Sequence, residues 1–157
     1  MTTTTTIAGR LRELGKTAAA ASAPVATYVS VARSGDLLFI SGQISKTASE
    51  HVVGRVGVEL SPAQGRHGAE LAALNLLAQL AAATDGSLAA IRRVVRLGVF
   101  VAAAPYFAAH SQVANGASDL IVAVFGDAGR HARTAVGVTS LPAGSAVELD
   151  AVIELER

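Results

Sequence analysis

The chain of 157 residues contains no cysteine and no tryptophan. Without thiols, disulfides, zinc-thiolate centres and cysteine nucleophiles are all excluded. Other aromatics are scarce, four Phe and two Tyr, although 51% of the residues are hydrophobic. The core must therefore be built from Ala, Val and Leu, small side chains that let helices lie close on a sheet. A basic surplus is also lacking, the formal net charge being +1. The densest arginine group, Arg92, Arg93 and Arg96, is split by Val94 and Val95 and has no aromatic run beside it. Proteins that grip nucleic-acid phosphates carry a basic stripe, so nucleic acid is not an expected partner. The apolar runs at 76–83 and 94–104 are too short or too interrupted to cross a bilayer, and no membrane association is expected. The opening threonine run reads as a frayed tail leading into a short helix, not as a secretory leader or a transit peptide. A cytoplasmic location is the expectation.

What is present reads as one domain over residues 1–157. Residues 7–15 form a short helix stopped by Gly15, and an Ala-rich connector runs to Pro24. Strand-like runs at 27–32 and 37–41 flank Ser34-Gly35-Asp36, the pattern of a β-hairpin. Residues 45–59 are polar and read as a loop with a short edge strand. A long helix begins with Ser61 as N-cap, Pro62 in the first turn and Gln64 completing a capping box. Leu71, Leu74, Leu77 and Ala81 give it one apolar stripe, and Asp85-Gly86 ends it. A β-branched run, 91–101, turns Val95, Leu97, Val99 and Val101 one way, and Arg96, Gly98 and Phe100 the other. A second helix starts near Pro105, with Phe107, His110, Ala114, Ala117, Ile121 and Val124 on its inner stripe. Asn115-Gly116 is a local weakness in it, since a mid-helix glycine costs about 1 kcal/mol. The last strands, 132–139 and 146–155, flank Leu141-Pro142-Ala143-Gly144 as a second hairpin. The fold class is thus α+β, a mixed sheet with two long helices on one face. Gly98, Ala135 and Gly137 leave the other face flat and small-residued, as an interface with another subunit would be.

Common catalytic signatures are missing: no Walker-type glycine loop, no Gly-x-Ser-x-Gly elbow and no His-Glu-x-x-His. The four histidines, 51, 67, 110 and 131, do not fall at metal spacing, so no metal or other cofactor is expected. His67 and His110 lie on or near helix stripes and read as packed, hydrogen-bonded residues. Arg133 shares a strand face with Ala135 and Gly137, which leaves room beside its guanidinium. Such a group can hold a carboxylate through two parallel hydrogen bonds, or it can simply pair with a neighbouring acid. Glu148, between Val147 and Leu149 and on one face with Asp150, is either a partly buried acid of raised pKa or one member of a solvated face. Ser41-Gly42-Gln43 follows a strand; Gly42 suits close approach of a ligand to the backbone, or a plain turn. Tyr28 fits a core position with its hydroxyl at the edge.

Three blocks in order, Leu38-Phe39-Ile40-Ser41-Gly42-Gln43, Val99-Phe100-Val101, and Ala132-Arg133-Thr134-Ala135-Val136-Gly137-Val138 with Leu141-Pro142-Ala143-Gly144 and Val147-Glu148-Leu149, resemble the signatures of the YjgF/RidA family. The resemblance covers nearly the whole chain. It implies a chorismate-mutase-like α+β unit assembled as a homotrimer, sheets inside and helices outside, with small carboxylate-bearing metabolites bound in clefts between subunits. The best-known family activity is hydrolysis of reactive enamines and imines to 2-oxo acids and ammonia; some members carry ribonuclease or translation-inhibitor roles. Carried over by position, Arg133 grips the substrate carboxylate, Glu148 positions the hydrolytic water, Tyr28 lies near the site, and Gly42 and the Ala135 N–H contact the ligand. Ser41 belongs to the same signature. One departure stands out. Where the deaminases have an asparagine four residues beyond the phenylalanine opening the second helix, this chain has Ser111, and Asn115 follows one turn later. The segment between that helix and Arg133 is longer too, which marks a distinct branch.

Overall fold

The computed structural model describes residues 4–157, so the first residues of the threonine run lie outside the described residues. The part that is described is tied down instead of frayed. Thr6 caps α1 (Ile7–Glu13) by accepting from the Gly9 N–H. The Thr5 carbonyl accepts from Leu88 at 3.0 Å, and the Ile7 N–H donates to the Gly86 carbonyl at 2.9 Å. Ile7 and Leu11 are buried, which fastens the helix to the core.

The first hairpin forms as expected from β1 (Val31–Ser34) and β2 (Leu37–Ile44), although β1 starts at Val31 and not at residue 27. Gly35 in its turn takes a φ of +59°, which an L side chain rarely adopts. Residues 45–59 hold no strand, only isolated bridges such as Val53–Ser145 and Val56–Ala103, and Val56 is fully buried. The loop is thus sewn to the end of the sheet, not laid along its edge.

Helix α2 (Pro62–Ala83) has the predicted capping box at Ser61 and Gln64. Its burial is wider than one stripe: Ala69, Ala72, Ala73, Leu76 and Leu80 are buried along with Leu71, Leu74 and Leu77. The extra cover comes from the N-terminal segment, which lies over the outer side of the helix. Lys16 pairs with Glu70 at 2.5 Å, and Gln79 Nε2 donates to the Ser22 carbonyl at 2.8 Å.

Strand β3 (Ile91–Ala102), helix α3 (His110–Phe125) and strand β4 (Ala132–Val138) form a crossover unit in which β4 runs parallel to β3. A shift of register between Val94 and Arg96 puts Val94 inside in place of Val95. α3 begins at His110, not near Pro105, and Tyr106 in the preceding loop is 97% exposed. Gly116 is no weakness, because it seats α3 on α2. A Cβ there would run into the Arg66 backbone carbonyl.

The last strand, β5 (Val147–Leu155), does not pair with β4. The sheet order is β1-β2-β5-β3-β4, with β5 antiparallel to both neighbours. Two physical causes overrule the expected hairpin. Val147, Leu149, Ala151, Ile153 and Leu155 are all buried, a full inner row suited to a central strand. The inner row of β4 contains Arg133, which only an edge strand tolerates. Ser45, itself buried at the end of β2, then accepts from the Ala146 and Val147 N–H groups at 3.1 and 3.3 Å and draws the chain in beside β2.

Both long helices cover one face of this mixed sheet. Phe39, Phe100, Val136 and Val152 lie on the other face, with Phe39 44% and Val136 40% exposed. Gly98 belongs to that open face, but Ala135 and Gly137 do not. Ala135 stands opposite the buried Val99, and a Cβ on Gly137 would meet His110 of α3 at 2.5 Å.

Candidate functional site

Arg133 stands beside buried Leu97 and therefore points to the helix side, at the rim of the sheet. Its Nη1 donates to Asn115 Oδ1 at 2.8 Å and to Ser118 Oγ at 3.0 Å, and Nη2 donates to the Ser111 carbonyl at 3.4 Å. All three acceptors are neutral and all belong to α3. Among the described residues Arg133 makes no ion pair. Of the five N–H groups of a guanidinium, these bonds leave the Nε–H and one Nη2–H, the pair needed for a two-bond grip on a carboxylate. Asn115 thus reaches the arginine with its side chain, whereas Ser111 does so only through its backbone.

Ser118 and His131 were not singled out from the sequence, yet they complete this cluster. His131 Nδ1 lies 2.6 Å from the Gly129 carbonyl, which can only accept, so Nδ1 carries the proton. In the neutral ring Nε2 is then an acceptor, and it takes the Ser118 hydroxyl proton at 2.9 Å. That leaves a Ser118 lone pair for Arg133. The signal available was periodicity: Ser111, Asn115 and Ser118 recur on one face of a helix. Together Ser118, Val122, Arg130, His131 and Arg133 line a shallow depression of about 250 Å³. A depression of about 330 Å³ near Val53, Thr139 and Leu141 includes none of the expected site residues.

The backbone adds donors beside Arg133. The Val138 carbonyl accepts from the Ala103 N–H at 3.2 Å and so faces the β3 side. Backbone groups alternate along a strand, which turns the N–H groups of 133, 135 and 137 toward the free edge of β4. The Ala135 N–H is therefore exposed next to the guanidinium.

Glu148 is elsewhere. It stands opposite Phe100 on one side and Ile44 on the other, on the open face. Its carboxylate lies over Gly42, where any side chain would collide with it, so the expected close approach at Gly42 is made by Glu148 itself. Burial, and secondarily the negative Asp150 on the same face, push its pKa above the ordinary carboxylate value. The other acids of this face are neutralised. Asp150 pairs with Arg96 at 3.2 Å, and Glu154 with Arg93 at 2.8 Å and Arg92 at 3.5 Å. Glu148 makes no ion pair among the described residues. Ser41 holds the segment before β1, its hydroxyl donating to Val29 C=O at 2.7 Å and its N–H to Ser30 C=O at 2.9 Å. Tyr28, on that segment, is 50% exposed and not a core residue.

The expected site residues therefore fall into two groups. Arg133, Asn115, Ser111 and the Ala135 N–H gather at the β4 edge; Glu148, Gly42, Ser41 and Tyr28 gather around the other end of the sheet. Strand β3 separates Glu148 from the β4 row, and the two charged side chains leave opposite faces. A single chain does not bring Arg133 and Glu148 around one small ligand, contrary to the pocket that a terminal hairpin would have made. His67 is exposed and pairs with Glu50 at 2.7 Å, and His110 meets the Phe107 ring edge-on at 5.1 Å. No group of three or more potential metal ligands occurs among the described residues.

The family model described as "YjgF/chorismate mutase-like, putative endoribonuclease" matches residues 7–155. The protein TCP17 of Trypanosoma cruzi is 47% identical over 153 residues, covering 96% of this chain and 95% of TCP17. The crystal structure of Atu1372 from Agrobacterium tumefaciens, a protein of unknown function, is 45% identical with a TM-score of 0.87, over 97% of this chain and 93% of that one. A "putative endoribonuclease" from Shewanella oneidensis is 29% identical with a TM-score of 0.90, over 96% and 99%.

Proposed function

This chain belongs to the YjgF/chorismate mutase-like family, and from that premise we propose that it binds a small carboxylate at Arg133 and hydrolyses reactive imines and enamines in sites shared between copies of a homotrimer. The observation that carries the reading is the state of Arg133: a partly buried guanidinium held by three neutral oxygens, with a two-donor edge left over and no acid beside it. Glu148 is its counterpart, a partly buried carboxylate without an ion-pair partner. The apolar residues of the open sheet face, Phe39, Phe100, Val136 and Val152, favour cover by a second copy. In such an assembly the open face of one subunit meets the β4 edge of the next and brings Glu148 to the ligand held by Arg133.

The chemistry then needs no cofactor. An enamine first takes a proton at carbon to become the iminium ion, the protonated imine. Water adds to the imine carbon and yields its proton to Glu148, whose raised pKa makes it a stronger base than a free carboxylate. The carbinolamine collapses as Glu148 returns the proton to nitrogen and the hydroxyl proton passes to solvent, releasing ammonia and the 2-oxo acid. Binding without turnover is the second reading. It is favoured by the fact that among the described residues no acid of the chain pairs with Arg133. Ribonuclease action is disfavoured, because Arg92, Arg93 and Arg96 are spent on Glu154 and Asp150.

The test is ammonia release from enamines generated in situ from several amino acids, on wild type, Arg133→Ala, Glu148→Gln and a co-expressed mixture of the two variants. Shared sites give two inactive variants and a mixture that recovers roughly one quarter of wild-type turnover, the fraction of sites that inherit both native groups. No ammonia from the wild type leaves the binding reading; no recovery in the mixture removes the shared site.

A further inference from the structure

Beyond its grip on one carboxylate, the β4 edge has a second cation in reach of the same ligand. We infer that the ligand of Arg133 is a small aliphatic diacid, its far acidic group held by Arg130. The inference rests on the reading that Arg133 binds a carboxylate and adds which carboxylates it selects.

The argument starts from the lining of the depression between α3 and β4. Arg130, His131, Arg133 and Ser118 line it with Val122 as the one apolar side chain, and among the described residues no acid lines it. At about 250 Å³ the shallow depression has room for a short chain with a polar group at each end. One carboxylate neutralises Arg133 and leaves Arg130 facing the tail, where an alkyl end gains little. A second carboxylate finds a charge-assisted partner there.

Arg130 is free to turn. Its present partner is Asp127, three residues earlier, at 3.3 Å, with side-chain exposures of 76% for the arginine and 100% for the aspartate. An exposed pair of this kind contributes little, so exchanging Asp127 for a ligand carboxylate costs little. The wall beside it is rigid by contrast. His131 is fixed by hydrogen bonds at both ring nitrogens, to Gly129 and to Ser118, and Ser118 in turn holds Arg133. Fixed ring, apolar side chain and a movable arginine make a depression that selects for a second terminal charge. The longer segment between α3 and Arg133, noted in the sequence as a departure from the deaminases, is what supplies Asp127, Arg130 and His131.

The probes are pentanedioate and pentanoate, equal in chain length and differing in one carboxylate, titrated calorimetrically into the intact protein at physiological salt. The inference expects at least tenfold tighter binding of the diacid by wild type. Arg130→Ala should bring the diacid to within about twofold of the monoacid while leaving the monoacid unchanged, and Arg133→Ala should lose both. Equal binding of the two acids by wild type, or a preference that survives in Arg130→Ala, overturns the diacid slot while leaving Arg133 as a carboxylate site. If wild type and Arg133→Ala bind both acids alike, the carboxylate reading fails and the diacid inference falls with it. Arg130 is a surface residue outside the core, so loss of folding does not confuse its variant.

Discussion

The open face of the sheet and the edge of β4 treat charge in opposite ways. On the open face arginines and acids face each other, Arg96 with Asp150 and Arg92 and Arg93 with Glu154, and one acid, Glu148, is left over. At the β4 edge Arg133 is surrounded by an amide, a hydroxyl and a carbonyl, and among the described residues no acid pairs with it. The leftover charges have opposite sign and leave opposite faces. A structural network would have paired each on its own side at little cost. The difference is what the proposed shared site would use: one chain carries an arginine and an acid, each without an ion-pair partner among the described residues, on opposite faces.

The strongest way to break this contrast is to remove the base alone. Glu148→Gln is expected to lower turnover by about two to four orders of magnitude while affinity for a 2-oxo acid stays nearly unchanged, because a group that deprotonates water acts in the transition state. Steady-state rates beside equilibrium binding decide it; equal losses of both would place Glu148 on the binding side. Next comes the seat of the helix that carries the three acceptors. Gly116→Ala puts a methyl against the Arg66 carbonyl, and backbone cannot step aside as a side-chain tip can. A loss of roughly 2–4 kcal/mol in urea unfolding is expected, together with weaker ligand binding as Asn115 and Ser118 shift from Arg133.

A finer cut distinguishes charge from geometry at the arginine. Arg133→Lys keeps the charge and loses the two-donor edge, and affinity for a small acid should fall about tenfold, far less than in Arg133→Ala. Retention of full affinity would reduce the site to a point charge. The smallest expected effect is on stability. The folded-state pKa of Glu148 is raised, so the folded protein favours the protonated form, and stability falls as pH rises from the unfolded carboxylate value through the raised one. Glu148→Gln should therefore raise Tm slightly at pH 7.5 and have no such effect near pH 4. Thermal scans at both values check the sign.

Much of this was legible in the sequence, and the gaps have physical reasons. Capping at Ser61, the turn at Gly35 and the inward row of β5 are local or periodic, so they survive in one dimension. The partner of β5 is not local. Beside its buried row it depends on Ser45, about a hundred residues away in sequence, capturing two backbone N–H groups, and turn residues do not encode that. The error then propagated: a terminal hairpin would put Glu148 beside Gly137, whereas the actual order inserts β3 and sends Arg133 and Glu148 to opposite faces. Arg133 itself stood out because a long cation beside Ala135 and Gly137 is conspicuous. Of its holders, Asn115 was named from the sequence, while Ser118 carries no signal beyond its place on a helix face, where polar residues ordinarily meet solvent.

The central place of β5 has a consequence for how the molecule comes into being. The strand that joins the two parts of the sheet is the last of the five to be synthesised, and its partners β2 and β3 wait for it with unsatisfied edges. Until then the nascent chain offers a hairpin and a crossover unit with a strand-wide gap between them. Contacts such as Gln43 with Leu149 close very long loops, so assembly is expected to be slow and to wait for β5. A ribosome stalled a few residues before Val147 would therefore hold a chain with nearly all of its helices and no joined sheet, a state exposed to proteases and to pairing with the strands of its neighbours.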